Sequence, residues 1–510
     1  RRHRMRRILD IPLFVVLMGL TSLMMFLPVI FAVSTRDWVS ARAFFYSGLL
    51  SLILTALIAV ATYARPSRSL TRAHLTALVA AFTILPVMLA VPFYEAVRNT
   101  TFLNAYFEMV SSFTTTGATL FDPERLSPTL HLWRAMVGWM GGYLIWVSAI
   151  AILAPMNLGG FEVISDAGIG QGARKDRQIG QRADGDARER LARAALRLLP
   201  IYGGLTLLLW AGLFMVGEKP LIALCHAMST LSTSGISPVD GVTAAQSGFG
   251  GEVLIFVFLA FAVSRQTFAS DFSMGRIHLL RDDPEAQMGL YCVILIPTVL
   301  FLRHWIGAFE VDEIADTRSA ILAFWGSAFT VLSFLTTTGF VSADWSTAQA
   351  WSGLGTPGLI LVGLALVGGG VATTAGGVKL LRVFALYKHG VREMERLVHP
   401  SSVGGSGAAA RRMRRKGAFV AWIFFMLFAL SLSVIAVLLA ATGLPFDASV
   451  VLSVAALSTT GPLAEVALET PIDVALISEA GKMVLMAAMV LGRLETLALI
   501  ALLNPEFWRS

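Results

Sequence analysis

Ten apolar runs, most of them near 20 residues or longer, recur along the chain and dictate the solvent it can fold in. A bilayer core about 30 Å thick takes about 20 residues as a helix. Runs of this kind occupy residues 8–34, 43–63, 73–92, 130–154, 191–216, 250–272, 287–306, 356–386, 418–442 and 479–503. Only 14% of the 510 residues are charged and 56% are hydrophobic, whereas soluble domains carry about 25% charged residues. Backbone groups in lipid must be satisfied within the protein, so helices are the expected answer. The fold class read from the sequence is therefore an all-α integral membrane protein. A net charge of +7 would suggest nucleic acid in a soluble chain, and the apolar runs exclude that partner. Cys225 and Cys292 both lie in or beside apolar runs and supply neither a disulfide framework nor a four-ligand zinc site. No two histidines stand at metal-binding spacing, and neither His-Glu-x-x-His nor Gly-x-Ser-x-Gly occurs, so no enzyme is expected.

Four shorter stretches, 99–113, 219–231, 319–335 and 446–457, alternate with the last eight runs. They read as re-entrant helices, too short to cross. The chain then divides into two leading transmembrane helices (1–70) and four units of span, short helix, loop and span. The expected boundaries are 71–157, 158–275, 276–390 and 391–510. Basic residues concentrate in alternate connections: Arg1 to Arg7, Arg65 to Arg72, Arg174 to Arg197, Arg276 and Arg281, and Arg382 to Lys416. The opposite side carries Glu95, Asp122, Asp240, Asp344, Glu465 and Glu469 among others. Positive charge marks the cytoplasmic side, which puts both termini in the cytoplasm. The basic N-terminal stretch before residue 8 reads as the flank of a retained span, since the apolar run after it exceeds a signal peptide's. Residues 155–190 and 387–417 read as solvated cytoplasmic loops.

Each short helix ends in the same pattern. The four copies are Thr114-Thr115-Thr116-Gly117, Ser232-Thr233-Ser234-Gly235, Thr336-Thr337-Thr338-Gly339 and Ser458-Thr459-Thr460-Gly461. A single Ser/Thr-Gly is ordinary turn chemistry, but four at matching places mark an internal duplication. Non-helical backbone at membrane depth survives where it is buried in protein or lines a watery cavity. Rings of carbonyls there can replace the hydration shell of a potassium ion, and the short helices would turn their partly negative C-terminal ends toward it. The lining is expected at 113–118, 232–236, 336–340 and 458–462. The ion itself is expected at Thr115, Thr116, Thr233, Ser234, Thr337, Thr338, Thr459 and Thr460.

With these motifs the whole chain resembles the TrkH/TrkG/KtrB superfamily of potassium transporters, and its two leading spans are those of the TrkH branch. The resemblance implies four repeats folded like fused subunits of a simple potassium channel around a central pore. It also implies potassium as the transported ion with no organic cofactor, a homodimer in the bacterial inner membrane, and cytosolic TrkA-like nucleotide-binding regulatory subunits. The basic loops would meet those subunits, or serve as topology signals and contacts for anionic lipid. In the superfamily a serine at the first filter glycine goes with sodium transport; all four positions here are glycine. A sodium-permeable or Na+/H+-coupled transporter on the same fold is the competing reading, and the residues do not choose between channel-like flow and symport.

Two further features match. The stretch Gly368-Gly369-Gly370-Val371-Ala372-Thr373-Thr374-Ala375-Gly376-Gly377-Val378-Lys379 is too glycine-dense for an unbroken helix. Close packing through small residues is the ordinary explanation; the resemblance implies an intramembrane gate loop beneath the filter. Arg493 lies deep in the last span, where an unpartnered arginine costs about 2.5–3.5 kcal/mol or more. The resemblance places it at the pore against the gate; an ion pair with Glu495 is the alternative. Glu108, inside the first short helix, is expected to pair with Arg134; tuning the filter is the alternative, and the residues do not choose between them.

Overall fold

The structure is a computed structural model and describes residues 12–62, 70–154, 160, 187–264, 283–307, 317–354, 356–399 and 415–495. Among these there is no strand. The first leading span is α1 (Leu13–Met24) and α2 (Phe26–Ser34), joined at Met25, and the second is α3 (Trp38–Thr62). The first repeat follows as α4 (Leu70–Thr83), α5 (Leu85–Val97), the short helix α6 (Phe102–Phe113) and α7 (Pro128–Ser148). The second is α8 (Ala187–Met215), α9 (Pro220–Ser232) and α10 (Gly248–Leu259). The third is α11 (Pro284–Gly307), α12 (Thr317–Leu335), the outer helix α13 (Trp345–Ser352), α14 (Gly358–Val367) and α15 (Leu380–Val398). The fourth is α16 (Arg415–Ala441), α17 (Phe446–Leu457), the single turn α18 (Leu463–Val466) and α19 (Glu479–Leu494).

Eight helices among the described residues are long and apolar enough to cross a membrane. One of them contains most of α12, which the sequence reads as a short re-entrant helix. Its 19 residues end at the third Thr-Thr-Thr-Gly loop, and more than half of its apolar window is inside the protein. The run at 356–386 is not one span: it breaks between α14 and α15. The charged stretch at its end is a second difference. Residues 387–398, read as part of a solvated loop, continue α15. Arg396 pairs with Glu393 at 2.9 Å and His389 lies 4.0 Å from the same carboxylate, the spacing that supports an exposed helix. Arg382, counted with the loop bases, is fully buried. Residues 187–190 and 415–417, also read as loop, begin α8 and α16; 155–159, 161–186 and 400–414, and the spans' ends at 8–11, 265–272 and 496–503, lie outside the described residues.

The repeats close into a ring. Each short helix packs against the span before it and the span after it. The span after it also packs against the next short helix: α7 touches α6 and α9, α10 touches α9 and α12, α14 touches α12 and α17, and α19 touches α17 and α6. The short helices therefore occupy the middle, with their C-terminal halves almost wholly buried. The outer faces of α3, α8, α11 and α16 stay apolar and exposed, with Leu50, Leu57, Leu208, Tyr291 and Leu430 among them, as lipid-facing surfaces must be. Among the described residues the leading helices pack chiefly on the first repeat, α1 on α4, α3 on α5 and α2 on α7.

Local signals start these central helices where they do. Thr101 caps α6 through the Asn104 N–H at 3.3 Å, Ser478 caps α19 through the Gly481 N–H at 3.2 Å, and prolines open α7 and α9. Their ends are set by close crossings. Gly141 of α7 and Gly492 of α19 stand fourteen residues after their N-caps, Ser127 and Ser478, and each faces the last carbonyl of its short helix, Phe113 O and Leu457 O. A methyl group at either position would overlap that oxygen. One buried ion pair braces the first repeat: Glu108 Oε1 lies 2.6 Å from Arg134 Nε with both side chains inside. Glu108 Oε2 accepts the Leu120 N–H at 3.1 Å. Cys225 is buried and Cys292 partly so, and both are free thiols.

Gly141→Ala and Gly492→Ala are each expected to lose about 1–3 kcal/mol, the usual cost of overpacking. Thermal unfolding in detergent should register the loss, while Gly363→Ala in α14, with nothing within 4 Å of the added methyl, should unfold like the parent.

Candidate functional site: four loops on one centre

Each short helix ends in a left-handed threonine. Thr115, Thr233, Thr337 and Thr459 have φ of 57°, 52°, 59° and 55°. Positive φ is rare for a β-branched residue and costs on the order of 1–3 kcal/mol at each site. The hydrogen bonds are those of a Schellman helix end, with threonine where glycine is usual. The next N–H returns to the carbonyl five residues back: Thr116 to Ser111 at 2.8 Å, Ser234 to Ser229 at 3.0 Å, Thr338 to Ser333 at 2.9 Å and Thr460 to Ala455 at 2.8 Å. In every loop the hydroxyls flanking the strained threonine bond to each other. The pairs are Thr114–Thr116 at 2.8 Å, Ser232–Ser234 at 3.0 Å, Thr336–Thr338 at 3.1 Å and Ser458–Thr460 at 3.2 Å. This pairing holds those side chains together on one side of the turn. The carbonyls of Thr115, Thr233, Thr337 and Thr459 accept no hydrogen bond from the described residues. Sequence reasoning put the special backbone at the glycines; that the middle threonine is also strained was missed, and only the helix-end geometry reveals it.

The four loops meet. A side chain on Gly117 would strike Ser234 O, one on Gly235 would strike Thr338 O, one on Gly339 would strike the ring of Pro462, and one on Gly461 would strike the Ala118 backbone. The contacts run first to second, second to third, third to fourth and fourth to first. Gly117, Gly235 and Gly339 have φ of 76°, 67° and 85°, which only glycine adopts readily. Gly461 does not share that conformation; its N–H donates instead to Thr116 O at 2.6 Å. All twelve hydroxyl residues of the motif are buried.

Beneath the loops runs the broken segment between α14 and α15. Gly368, Ala372, Gly377 and Lys379 have positive φ, so no helix continues through it. Its polar groups are taken up by several different elements. Gly370 N–H donates to Ala262 O at 3.0 Å, and Val371 N–H to Glu285 Oε1 at 2.7 Å. Thr373 Oγ1 returns to Gly370 O at 2.7 Å, and Thr374 Oγ1 donates to Leu231 O, at the end of α9, at 3.0 Å. Gly376 N–H donates to Thr337 Oγ1 at 2.7 Å, and a side chain at Gly376 would strike Ser458 O and Thr459 Oγ1. The segment thus touches the second, third and fourth loops directly. Gly369 lies against Ala262 O and Ala375.

Three buried cations surround this segment. Arg493 Nη2 donates to Thr374 O at 2.6 Å. Lys379 Nζ donates to Ala375 O. Arg382 Nη1 reaches Val378 O at 3.3 Å, and its guanidinium lies 3.6 Å from the Phe424 ring centre. Glu495, the acid nearest Arg493 in sequence, lies 2.8 Å from Arg382 instead. The Glu285 and Glu495 contacts were not legible beforehand, because neither acid carries a motif.

A family model described as a cation transport protein, TrkH, matches residues 287–509. The Trk system potassium uptake protein TrkH of Vibrio parahaemolyticus is 31% identical over 442 residues, 84% of this chain and 84% of that protein. The chain belongs to the TrkH family. The TrkH protein of Escherichia coli (strain K12) is 30% identical over 84% of each chain, and that of Salmonella typhimurium is 29% identical over 95% of this chain and 96% of its own. The crystal structure of the potassium transporter TrkH from Vibrio parahaemolyticus matches with a TM-score of 0.80 at 27% identity, covering 98% of this chain and 99% of that one. This TrkH-family chain is accordingly a multi-pass membrane transport protein and not an enzyme, with the expected all-helical fold.

Thr337→Val removes the acceptor of the Gly376 N–H. An unpaired buried donor costs about 1–3 kcal/mol, so hydrogen exchange in the peptide covering 368–379 should accelerate several-fold, with the peptides of α6 and α9 unchanged.

Proposed function

We propose that this protein takes up potassium through the centre on which the four loops converge. The observation that carries the reading is the fourfold strained threonine, whose free carbonyl belongs to a loop packed against its neighbours in cyclic order. Strain repeated four times needs a compensating use, and inward-facing carbonyls that replace an ion's hydration shell are such a use. The C-terminal ends of α6, α9, α12 and α17 add a favourable potential for a cation. The names of the relatives, potassium uptake proteins and a potassium transporter, support potassium over other ions. In this reading Thr114 to Gly117, Ser232 to Gly235, Thr336 to Gly339 and Ser458 to Gly461 form the filter. The ion sits by Thr115, Thr116, Thr233, Ser234, Thr337, Thr338, Thr459 and Thr460. The four repeats are 71–157, 158–275, 276–390 and 391–510, after two leading helices in 1–70.

The segment Gly368 to Lys379 is the gate of this proposal. Its buried backbone fills the space under the loops, and Arg493 places a positive charge there while holding Thr374 O. A cation descending from the filter meets that charge unless segment and arginine move together. The chain would sit in a bacterial inner membrane with both termini in the cytoplasm, on the charge asymmetry of its connections. The family resemblance adds a homodimer and a cytosolic TrkA-like nucleotide-binding subunit as its regulators. The printed name "Trk system" of the relatives fits a protein that works with others.

Potassium and sodium flux into proteoliposomes tests the reading, for the parent and for Gly117→Ser. The parent is expected to favour potassium. The serine, forced into a positive φ and against Ser234 O, is expected to lose most of that preference. A serine variant with the parent's cation preference would remove the first loop from the filter, and a parent that moves sodium as readily as potassium would favour the sodium transporter instead.

A further inference from the structure

Nine residues ahead of the four filter glycines stand Glu108, His226, Thr330 and Leu452. All four side chains are buried behind the loops. The first three differ in chemistry and do the same thing: each reaches across its loop to the backbone or side chain two or three residues beyond the glycine. Glu108 Oε2 accepts the Leu120 N–H at 3.1 Å, while Arg134 holds the other oxygen at 2.6 Å. His226 Nε2 lies 2.8 Å from Ser237 Oγ, which accepts the Val239 N–H at 3.2 Å. Thr330 Oγ1 accepts the Ser342 N–H at 3.3 Å. Glu252 of α10 reinforces this third case, taking the Ser342 hydroxyl at 2.8 Å and the Ala343 N–H at 2.7 Å.

The fourth loop is held differently. Leu452 has no polar atom to offer. The N–H three residues past Gly461 belongs to Ala464 and bonds Gly461 O at 3.1 Å, inside the turn that opens α18. Gly461 N–H is fixed by Thr116 O of the first loop. The outer end of this loop is therefore tied by the turn into α18 and by its neighbour, and takes no hydrogen bond from the side chain at position 452.

We propose that Glu108, His226 and Thr330 are positioning residues for ion discrimination, an inference that rests on the filter assignment above. Each clamps the outer end of its own loop to its own short helix, so that the loop's carbonyls keep their spacing and do not close around a smaller cation. Sodium needs shorter oxygen distances than potassium; a clamped loop denies them and a released loop supplies them. None of the three touches the ion, and their effect passes through the segment beyond the glycine.

The test measures the potassium-to-sodium flux ratio in proteoliposomes together with the melting temperature of each protein in detergent. Thr330→Val keeps the shape and removes the acceptor, and it is expected to lower the ratio on the order of fivefold, the equivalent of one net hydrogen bond. Thr330→Ser keeps the acceptor and should keep the parent's ratio. His226→Leu, which gives the second loop the fourth loop's residue, should lower the ratio as Thr330→Val does, and Leu452→Val should leave it as in the parent. If the parent prefers potassium and Thr330→Val and His226→Leu keep that preference, the clamps are merely structural and the inference falls while the filter reading stands. A lowered melting temperature with an unchanged ratio in the folded protein overturns it in the same way. An equal fall in ratio for Leu452→Val also overturns it, since the effect would then be packing. A parent with no potassium preference is the separate failure of the filter reading itself.

Discussion

A peptide group that leaves a helix inside a membrane must find its hydrogen bonds in protein, because lipid offers none. Among the described residues this TrkH-family chain leaves its helices for buried non-helical backbone at the four loops and at the segment 368–379. The whole arrangement of spans can be understood as the wall that makes this tolerable. Each span after a loop packs on its own short helix and on the next one, so no loop has an open side. The loops then complete one another's shells, as when Gly461 N–H finds Thr116 O. The segment beneath is satisfied by groups from elsewhere, including Ala262 O, Glu285 and Thr337. Had any one repeat been displaced, its neighbours' backbone would be exposed to a solvent that cannot bond to it. That mutual dependence makes the ring cooperative.

Within the ring the repeats are equivalent in plan and unequal in execution. The strained threonine and the bonded hydroxyl pair occur in all four loops, so these are what the duplicated unit requires. The glycine's positive φ occurs in three, and the fourth glycine is followed by Pro462, whose ring packs on Gly235 and Gly339. Proline has no N–H to tie, and the chain after it turns at once into α18. The different anchoring of the fourth loop goes with that turn, which ties the Ala464 N–H to Gly461 O, and with Leu452, which has no polar atom to offer.

Much of this was legible in the sequence, and for identifiable reasons. The four Ser/Thr-Thr-Ser/Thr-Gly copies are visible because a repeated tetrapeptide between apolar runs has no common cause but duplication. Pairing Glu108 with Arg134 was the favoured of two readings, since two opposite charges in apolar surroundings have few other partners. The break at 368–379 announced itself by its glycines. Other features lacked a signal. Arg382 stands at the head of a basic stretch and was counted with solvated loop charges, yet it is buried against Phe424 and Glu495. The second part of α15, residues 387–398, was hidden by its own charges, because a helix stabilised by pairs such as Arg396–Glu393 has the composition of a loop. The left-handed threonines could not be found at all: a residue type argues against that conformation, and only tertiary context imposes it.

The cations under the loops pose an electrostatic problem whose solution depends on the segment's backbone. Three buried positive groups, Arg493, Lys379 and Arg382, lie near two acids, Glu285 and Glu495. Arg382 is neutralised by Glu495, and Lys379 and Arg493 are instead solvated by carbonyls of the segment, Ala375 O and Thr374 O. Carbonyls that bind a side-chain cation are not free to bind a passing one. Moving the segment away from Arg493 would therefore do two things at once, freeing the Thr374 carbonyl and leaving a buried guanidinium that needs new partners. The second consequence is costly in a low-dielectric interior. A movement of the segment on its own is thus opposed, and a movement of α19 and the segment as a unit keeps the Arg493 bond while still breaking those to Glu285, Leu231 O and Thr337. Because α19 packs on both α17 and α6, such a unit would pass a movement of the segment on to the fourth and first loops.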